Sequence, residues 1–206
     1  ARLSYRLAPD VPQVQGSAQD QRRMVLATAQ RDPLNPRVFP ARADAALDAF
    51  QGFSVLALPE APAQPWVAPR PGVAPGQLTR HVVDSSILGN QRPVWLYRPA
   101  GAAPRALLVL FDAHAYREDV PTPRIVDNLL ADGLIPPPAV VLVSNPSPEA
   151  RAAELPPNPA FARFLDEELM PWVQAQGLAQ PPEATVIAGS SYGGLASAYA
   201  GLVLPQ

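Results

Sequence analysis

The sequence has 206 residues, a formal net charge of −2 and charged side chains at 17% of positions. This length supports one sizeable core and part of a second domain. The sequence has no run of Lys or Arg and no apolar stretch near the roughly 18 residues of a membrane-spanning helix, so it argues against nucleic-acid binding and a membrane span. Cysteine is absent, which excludes disulfides, thiolate catalysis and thiolate metal ligands.

The first part of the chain has weak secondary-structure signals. Alternating apolar residues in Leu3–Leu7 predict a strand, and its partner strands are expected to precede the sequence because none lies nearby. The pattern of Ser17–Gln30 predicts a helix that ends before Asp32-Pro33, and Ala41–Phe50 predicts a shorter one. Both ends of the sequence look like cuts through a longer protein.

A proline-rich segment divides the chain. Residues from Glu60 to Gly76 are rich in Pro and Ala and are predicted to form a linker. After it, Leu78–Leu88 and Pro93–Arg98 predict an antiparallel hairpin, because Gly89-Asn90-Gln91 between them is a turn signal.

Three short apolar runs follow, and runs of this length are typical of strands buried on both faces of a parallel sheet. They are Ala106–Phe111, Ala139–Val143 and Thr185–Ala188. Helices are predicted between them: one has Thr122 as its N-cap and Pro123 in its first turn, and the other begins at Asn158-Pro159 and kinks or ends at Pro171. A hairpin followed by alternating strands and helices predicts a doubly wound, mostly parallel α/β sheet.

The third of these strands leads into a Gly-x-Ser-x-Gly motif, Gly189–Gly193, followed by a helix rich in small residues. A strained turn of this kind presents a serine hydroxyl, and a Cβ two positions before or after that serine is expected to clash. Only Ser191 has glycine on both sides at this spacing, so Ser191 and not Ser190 is predicted as the nucleophile of an α/β-hydrolase-type serine esterase. A tight turn without catalysis is the competing interpretation, while the spacing of the glycines does not fit a phosphate-binding loop.

Two backbone donors are expected to stabilise the oxyanion. In this fold one donor is the amide of the residue after the nucleophile, here Tyr192, and the other lies in a loop after an earlier strand. The loop Phe111–Tyr116 follows the first apolar run at the carboxyl end of the sheet, and the amide of His114 is predicted as the second donor. The side chain of His114 is expected to be exposed to solvent and not catalytic.

A general base for Ser191 is not evident. The triad of this fold runs in the order serine, acid, histidine along the chain, whereas His81 and His114 both precede Ser191. His81 lies in the predicted hairpin and is assigned a structural role. Because a serine hydroxyl without a base is a poor nucleophile at neutral pH, residues 1–206 alone are predicted not to turn over substrate.

Several segments together resemble a known family. They are Asp32–Pro36, Leu58–Pro71, Leu108–Asp112, Val120–Thr122, Arg151–Leu155 with Asn158 and Phe161, Glu168–Pro171 and Val186–Leu195. In combination these segments resemble the enterochelin (ferric enterobactin) esterases. The resemblance implies that residues 1–59 are the end of an N-terminal β-sandwich domain with connecting helices, 60–76 a linker, and 77–206 the first part of an esterase domain. It also implies that the acid and the histidine of the triad lie beyond residue 206.

The resemblance also implies a substrate. The family hydrolyses the trilactone of ferric catecholate siderophores inside the cell, so the expected location is the cytoplasm, with the periplasm left open. Arg151 is then expected to meet the anionic catecholate, the alternative being an ion pair with Glu154 or Glu168. Tyr116 is expected to stack on catechol rings, the alternative being ordinary loop packing. No cofactor and no metal site of the protein are expected, because the iron belongs to the substrate.

One position departs from the family pattern, and two other functions stay open. The family's loop reads Asp-Gly where this sequence has Asp112-Ala113, and an alanine that restricts φ is expected to disturb the oxyanion loop. The alternatives are a general carboxylesterase or acyltransferase of the same fold, and a catalytically silent α/β-hydrolase domain used for binding.

Overall fold

A computed structural model describes residues 1–40 and 50–204. The chain divides into two compact units, residues 1–64 and 65–206. The division lies inside the predicted linker, and the predicted domain boundaries stay a prediction. The helix predicted at Ala41–Phe50 lies, apart from Phe50, outside the described residues. In the part of the chain that the structure describes, no helix combines the length and the apolarity that a membrane crossing requires.

In the described residues of the first unit there are one helix and a three-stranded antiparallel sheet. Its elements are β1 (Arg2–Tyr5), α1 (Ala18–Thr28), β2 (Val38–Phe39) and β3 (Phe53–Ala57). The predicted helix is confirmed, and a capping box starts it. The Ser17 hydroxyl accepts from the Asp20 N–H at 3.2 Å, and the Asp20 carboxylate accepts from the Ser17 N–H at 2.9 Å.

The expectation that β1 pairs only with strands before the sequence is wrong. β1 pairs antiparallel with β3, with Tyr5 opposite Ser54, and β2 pairs with the other edge of β3. The Tyr5 hydroxyl also donates to Asp32 at 2.7 Å and accepts from the Asn35 amide at 3.1 Å. These bonds tie the Asp32–Pro36 turn to the sheet.

The second unit is built on a five-stranded mixed sheet in the order β4-β5-β7-β6-β8. The strands are β4 (Gln77–Ser85), β5 (Asn90–Arg98), β6 (Ala106–Phe111), β7 (Pro138–Val143) and β8 (Thr185–Ala188). β4 and β5 form the predicted hairpin, β5 is antiparallel to β7, and β6 is parallel to both β7 and β8. The α/β class is therefore confirmed.

Helices follow each of the parallel strands. They are α2 (Thr122–Ala131), α3 (Pro148–Glu154), α4 (Pro159–Phe164), α5 (Met170–Ala175) and α6 (Tyr192–Val203). Asn158 caps α4 as predicted, whereas Thr122 is the first residue of α2 and not its N-cap, because the non-helical residue there is Pro121. The helix does not end at Pro171, since a π-helical turn at Leu165–Leu169 joins α4 to α5 and lets the chain continue through the proline.

Both faces of this sheet are covered. Leu107 and Val109 of β6 belong to one apolar cluster with residues of α4, α5 and α6, while Leu110 belongs to a second cluster with Val126 of α2. β6 lies between β7 and β8, so the chain moves to one side of β6 and then to the other. Such a reversal of strand order opens a crevice at the carboxyl ends of the strands, where ligands bind in open α/β sheets.

The second half of the predicted linker is bound to α2, and we call residues 65–76 the strap. The Trp66 indole donates to Asp132 at 2.8 Å, and Arg70 forms an ion pair with the same carboxylate at 2.8 Å. The amide of Asn128 donates to the carbonyls of Trp66 and Ala68 at 2.7 and 2.9 Å. The strap is therefore an ordered part of the second unit, although its composition is that of a linker.

The end of the strap predicts a large effect of one methyl group. A Cβ at Gly76 would lie 2.3 Å from the ring of Tyr97 and 2.4 Å from the carbonyl of Arg98. Tyr97 is fully buried, and its hydroxyl donates to Asp127 at 2.6 Å. We expect Gly76→Ala to lower the free energy of unfolding by about 2 kcal/mol, measured by urea denaturation. The control Gly201→Ala adds its methyl to open space, and equal losses in the two variants would contradict the prediction.

Candidate active site

Ser191 occupies a strained turn between β8 and α6. Its backbone has φ 54° and ψ −122°, outside the helical and strand regions. A non-glycine residue in such a conformation costs about 1–3 kcal/mol and persists only where the surroundings enforce it. The Gly193 N–H donates to the Ser190 carbonyl at 2.9 Å, and the Leu195 N–H donates to the Ser191 carbonyl at 3.1 Å. This is the backbone geometry expected of a nucleophile elbow.

The two glycines of the motif are needed for different reasons. A Cβ at Gly189 would lie 2.6 Å from the carbonyl carbon of Gly193 and 2.8 Å from its Cα. A Cβ at Gly193 would lie 3.5 Å from both Asp112 Oδ2 and Phe111 Cβ, which is ordinary contact. The expected clash is therefore confirmed at Gly189 and wrong at Gly193, where the glycine backbone itself fills the space beside Gly189.

The loop that follows β6 lies next to the elbow. Leu110 of β6 is opposite Ala188 of β8, so Asp112 and Ser191 follow neighbouring parallel strands. Among the described residues other than glycine, only Asp112 (φ 59°) and Ser191 have positive φ. Ala113 is buried and has a negative φ, so the restriction of φ by alanine, which was the reason to expect a disturbed loop, has no effect at this residue. The left-handed conformation is carried by an aspartate, a residue type that tolerates it better than most.

The carboxylate of Asp112 is held by two side chains. Arg151 donates from Nε to Oδ1 at 2.6 Å and from Nη2 to Oδ2 at 2.9 Å, a bidentate pair. Asn145 donates to Oδ1 at 2.7 Å. The hydrogen bond to Asp112 raises the pKa of Arg151 above its ordinary value. Asn145 was not predicted from the sequence, and the available signal was its place just after the carboxyl end of β7.

Arg151 has a different partner from the two carboxylates that the sequence suggested. Glu154 binds Arg92, and Glu168 accepts hydrogen bonds from the β4–β5 turn. Arg151 does form an ion pair, as the alternative expected, but its partner is Asp112 and not Glu154 or Glu168. The guanidinium carbon of Arg151 also lies 5.4 Å from the ring centroid of Tyr192, within the range of a cation–π contact. Arg151 therefore touches both parts of the chain that were predicted to form the oxyanion hole.

The remaining predicted residues differ in their surroundings. His114 is exposed, and Tyr116 is half-buried and packs against the cluster that contains α2. This packing favours the loop-packing alternative for Tyr116.

His81 Nε2 lies 2.8 Å from the Thr79 hydroxyl, and its ring packs edge-on against Trp172, contacts that fit a structural role. Within residues 1–40 and 50–204, no group of three or more acidic or histidine side chains is placed to hold a metal.

Two family models together match most of the chain. The family model "Enterochelin esterase, N-terminal" matches residues 1–67, and the "Esterase" model matches residues 85–206. The iron(III) enterobactin esterase of Escherichia coli O6:H1 is 34% identical over 189 residues, which cover 89% of this chain. The chain belongs to the enterochelin esterase family. It covers 45% of the length of that relative.

Solved structures of the family share the fold. The enterobactin esterase of Shigella flexneri, crystallised in the presence of enterobactin, is 31% identical with a TM-score of 0.77. The ferric enterobactin esterase of Salmonella typhimurium is 29% identical with a TM-score of 0.78. Each comparison covers 98% of this chain and 53% of the solved chain. The chain thus spans about half of the length of these enterochelin esterases.

The bidentate contact predicts how a conservative change at Arg151 acts. A lysine keeps the charge but cannot make the two parallel hydrogen bonds to Asp112. We expect Arg151→Lys in the intact protein to lower kcat for a neutral aryl ester about 10-fold with KM little changed, because a misplaced loop weakens transition-state stabilisation. Steady-state kinetics measure both constants.

A matched control is available on an exposed ion pair. Arg163 donates from Nε to Glu167 at 2.8 Å, and both side chains are largely exposed. Arg163→Lys is expected to leave both constants unchanged, since exposed pairs contribute little. Arg151→Lys could instead raise KM for an anionic substrate and leave kcat for the neutral ester at the wild-type value. That result would show that Arg151 does not contribute to the rate through its contact with Asp112.

Proposed function

We propose that this chain carries the nucleophile of a serine esterase that hydrolyses the trilactone ester bonds of ferric catecholate siderophores such as enterobactin. The observation that carries the proposal is the strained backbone of Ser191, at φ 54°, beside the braced loop at Asp112. Relatives named iron(III) enterobactin esterase, and a related enzyme crystallised in the presence of enterobactin, support this choice of substrate.

The proposed chemistry is acyl transfer through the serine. The hydroxyl oxygen of Ser191 attacks the ester carbonyl carbon while its proton passes to a general base, which the family resemblance assigns to a histidine. The carbonyl oxygen becomes an oxyanion, for which the N–H groups of Tyr192 and His114 are the proposed donors. Collapse of the tetrahedral intermediate breaks the ester C–O bond, and the protonated base gives its proton to the leaving oxygen, which departs as the alcohol. Water then hydrolyses the acyl-enzyme and frees Ser191.

Two side chains are proposed to meet the substrate. Arg151 keeps 33% of its side chain exposed while it binds Asp112, so the exposed part is proposed to face the catecholate anion. Tyr116 packs in the loop but is only half-buried, and stacking on a catechol ring is proposed as a second role for it. The proposed compartment is the cytoplasm, on the strength of the family resemblance, and cell fractionation would distinguish it from the periplasm.

The test is the fate of ferric enterobactin with the intact protein and its Ser191→Ala variant. We expect chromatography to show ring-opened products with the wild type and none with the variant, while quenching of protein fluorescence shows that both bind the complex. Cleavage of simple aryl esters without cleavage of ferric enterobactin would favour the general carboxylesterase. Binding without cleavage by the wild type would favour the silent domain.

A further inference from the structure

A buried ion pair lies at the end of α3, away from the elbow. Arg92 is fully buried, and Glu154, the last residue of α3, is 7% exposed. Arg92 Nη2 donates to the two oxygens of Glu154 at 3.0 and 3.1 Å. Asn90 completes the group, since its amide donates to Glu154 at 2.8 Å and its oxygen accepts from Arg92 at 2.8 Å.

This pair is an expensive way to stabilise a core. Removing two charges from water costs several kcal/mol per ion, and apolar residues of similar volume often serve equally well. Within the described part of the chain, Nε and Nη1 of Arg92 have no hydrogen-bond partner. The guanidinium instead faces the rings of Phe164 and Phe161, with its central carbon 4.5 and 5.8 Å from their centroids. Beyond any effect on stability, the pair fixes the position of Glu154, and with it the end of α3, relative to β5.

Two routes of direct contact lead from this pair to the loop at Asp112. The first runs along α3, a helix of 7 residues that carries Glu154 at its end and Arg151 one turn earlier. Because the helix is short, fixing Glu154 on β5 also fixes Arg151, which binds Asp112. The second runs through the ring of Phe161, which packs edge-on against Phe111 with centroids 5.4 Å apart. Phe111 directly precedes Asp112.

We propose that Arg92 and Glu154 are a positioning pair for the oxyanion loop. The pair holds α3 and Phe161 in place, and these position Arg151, which binds the Asp112 carboxylate, and Phe111, which precedes Asp112 in the chain. Neither residue touches substrate, so the pair acts on the rate of the acyl-transfer step and not on substrate affinity. The inference rests on the proposed function, because it takes Ser191 as the nucleophile and the loop as an oxyanion donor.

The test replaces the pair by apolar residues in the intact protein. The double variant Arg92→Met/Glu154→Leu leaves no unpaired buried charge and is expected to fold. The matched control is Arg163→Gln/Glu167→Gln, which removes an exposed ion pair from the adjoining α4 and π-helical turn. The measurements are the thermal midpoint, kcat and KM for an activated aryl ester, and the rate at which a fluorophosphonate labels the protein. In that labelling the Ser191 Oγ–P bond forms, the hydroxyl proton is lost to the base and fluoride leaves.

The expected result is a change in rate without a change in affinity. We expect kcat and the labelling rate of the apolar double variant to fall about 10- to 100-fold, with KM within about twofold of wild type. The control is expected to match wild type in every measurement. Wild-type kcat and labelling rate in a folded double variant would overturn the proposal, whatever the thermal midpoint, because they would leave the pair a purely structural role.

A second variant keeps the test decisive if the apolar one does not fold. Arg92→Gln/Glu154→Gln retains polar side chains that hydrogen-bond to each other without charge, and a smaller fall in kcat at unchanged KM is expected. Unchanged kcat in that variant would again overturn the proposal.

Labelling of wild type but not of Ser191→Ala tests the nucleophile separately. If the wild type were not labelled, or if Ser191→Ala were labelled equally, the proposed function itself would be contradicted. Equal labelling of wild type and the double variants would contradict only the positioning role.

Discussion

Replacing Ser191 with alanine is expected to lower hydrolysis of an activated aryl ester by the intact protein at least about 10³-fold, because the variant lacks the hydroxyl that is proposed to form the acyl-enzyme. The residual rate should reflect binding and oxyanion stabilisation alone. Alanine carries a Cβ as serine does and is equally disfavoured at positive φ, so the strain at φ 54° remains and the thermal midpoint should change little. Initial rates and titration of the acyl-enzyme burst measure the loss.

The neighbouring serine provides the control. Ser190 is exposed, and its carbonyl accepts from the Gly193 N–H, a bond that a side-chain change does not remove. Ser190→Ala is therefore expected to keep the rate within about threefold of wild type, as for a surface substitution. Loss of activity in Ser190→Ala together with an active Ser191→Ala variant would assign the nucleophile to Ser190.

The parts of the fold that the sequence predicts best are those with local patterns. Thr185–Ala188 was predicted with the bounds that β8 has, because a short apolar run ends at a glycine. The elbow follows from the same window, where small residues are needed for close approach of helix and strand. The sequence also predicts that a Cβ clashes at both glycines of the motif, and this is right only at Gly189. At Gly193 the structure has room for a methyl group.

Contacts between distant segments could not be predicted in this way. The pairing of β1 with β3 spans a stretch of weakly patterned sequence, and alternation within a strand does not identify its partner. Arg151 was expected to pair with Glu154 or Glu168 if it formed an ion pair, yet the fold brings Asp112 to it from the end of β6. The strap is held partly through the carbonyls of Trp66 and Ala68, and backbone acceptors carry no signal in the sequence. For this reason a proline-rich composition could not distinguish an ordered strap from a linker.

The loop at Asp112 shows why a residue type alone does not fix local geometry. Alanine in place of glycine after Asp112 suggested a disturbed loop, on the assumption that the second residue needs a positive φ. The structure gives the positive φ to Asp112 and leaves Ala113 in an ordinary conformation. Bonds from Arg151 and Asn145 hold the strained residue. The strain therefore lies where long-range contacts can support it, and a single sequence does not show those contacts.

Adding one methyl group at Gly189 is expected to remove the proposed esterase activity without touching any reacting atom. The new Cβ would lie 2.6 Å from the carbonyl carbon of Gly193, so the first turn of α6 must move away from β8. A shift of this kind displaces both the Ser191 hydroxyl and the Tyr192 N–H, and misplacement by about 1 Å costs on the order of 10²-fold in rate. We expect Gly189→Ala to lower kcat about 100-fold or more and the free energy of unfolding by about 1–3 kcal/mol. Steady-state kinetics and urea denaturation measure the two effects.

Gly193→Ala separates steric displacement from a general intolerance of the motif. Its methyl would sit 3.5 Å from Asp112 Oδ2 and Phe111 Cβ, and within a helix alanine is favoured over glycine. We therefore expect Gly193→Ala to keep the wild-type free energy of unfolding or to raise it slightly, and to retain far more activity than Gly189→Ala. If the two variants lost stability equally, the inference that the turn excludes a Cβ at Gly189 but accepts one at Gly193 would be wrong. If Gly189→Ala kept full activity, α6 could move without displacing Ser191, and the strained backbone would not be what presents the nucleophile.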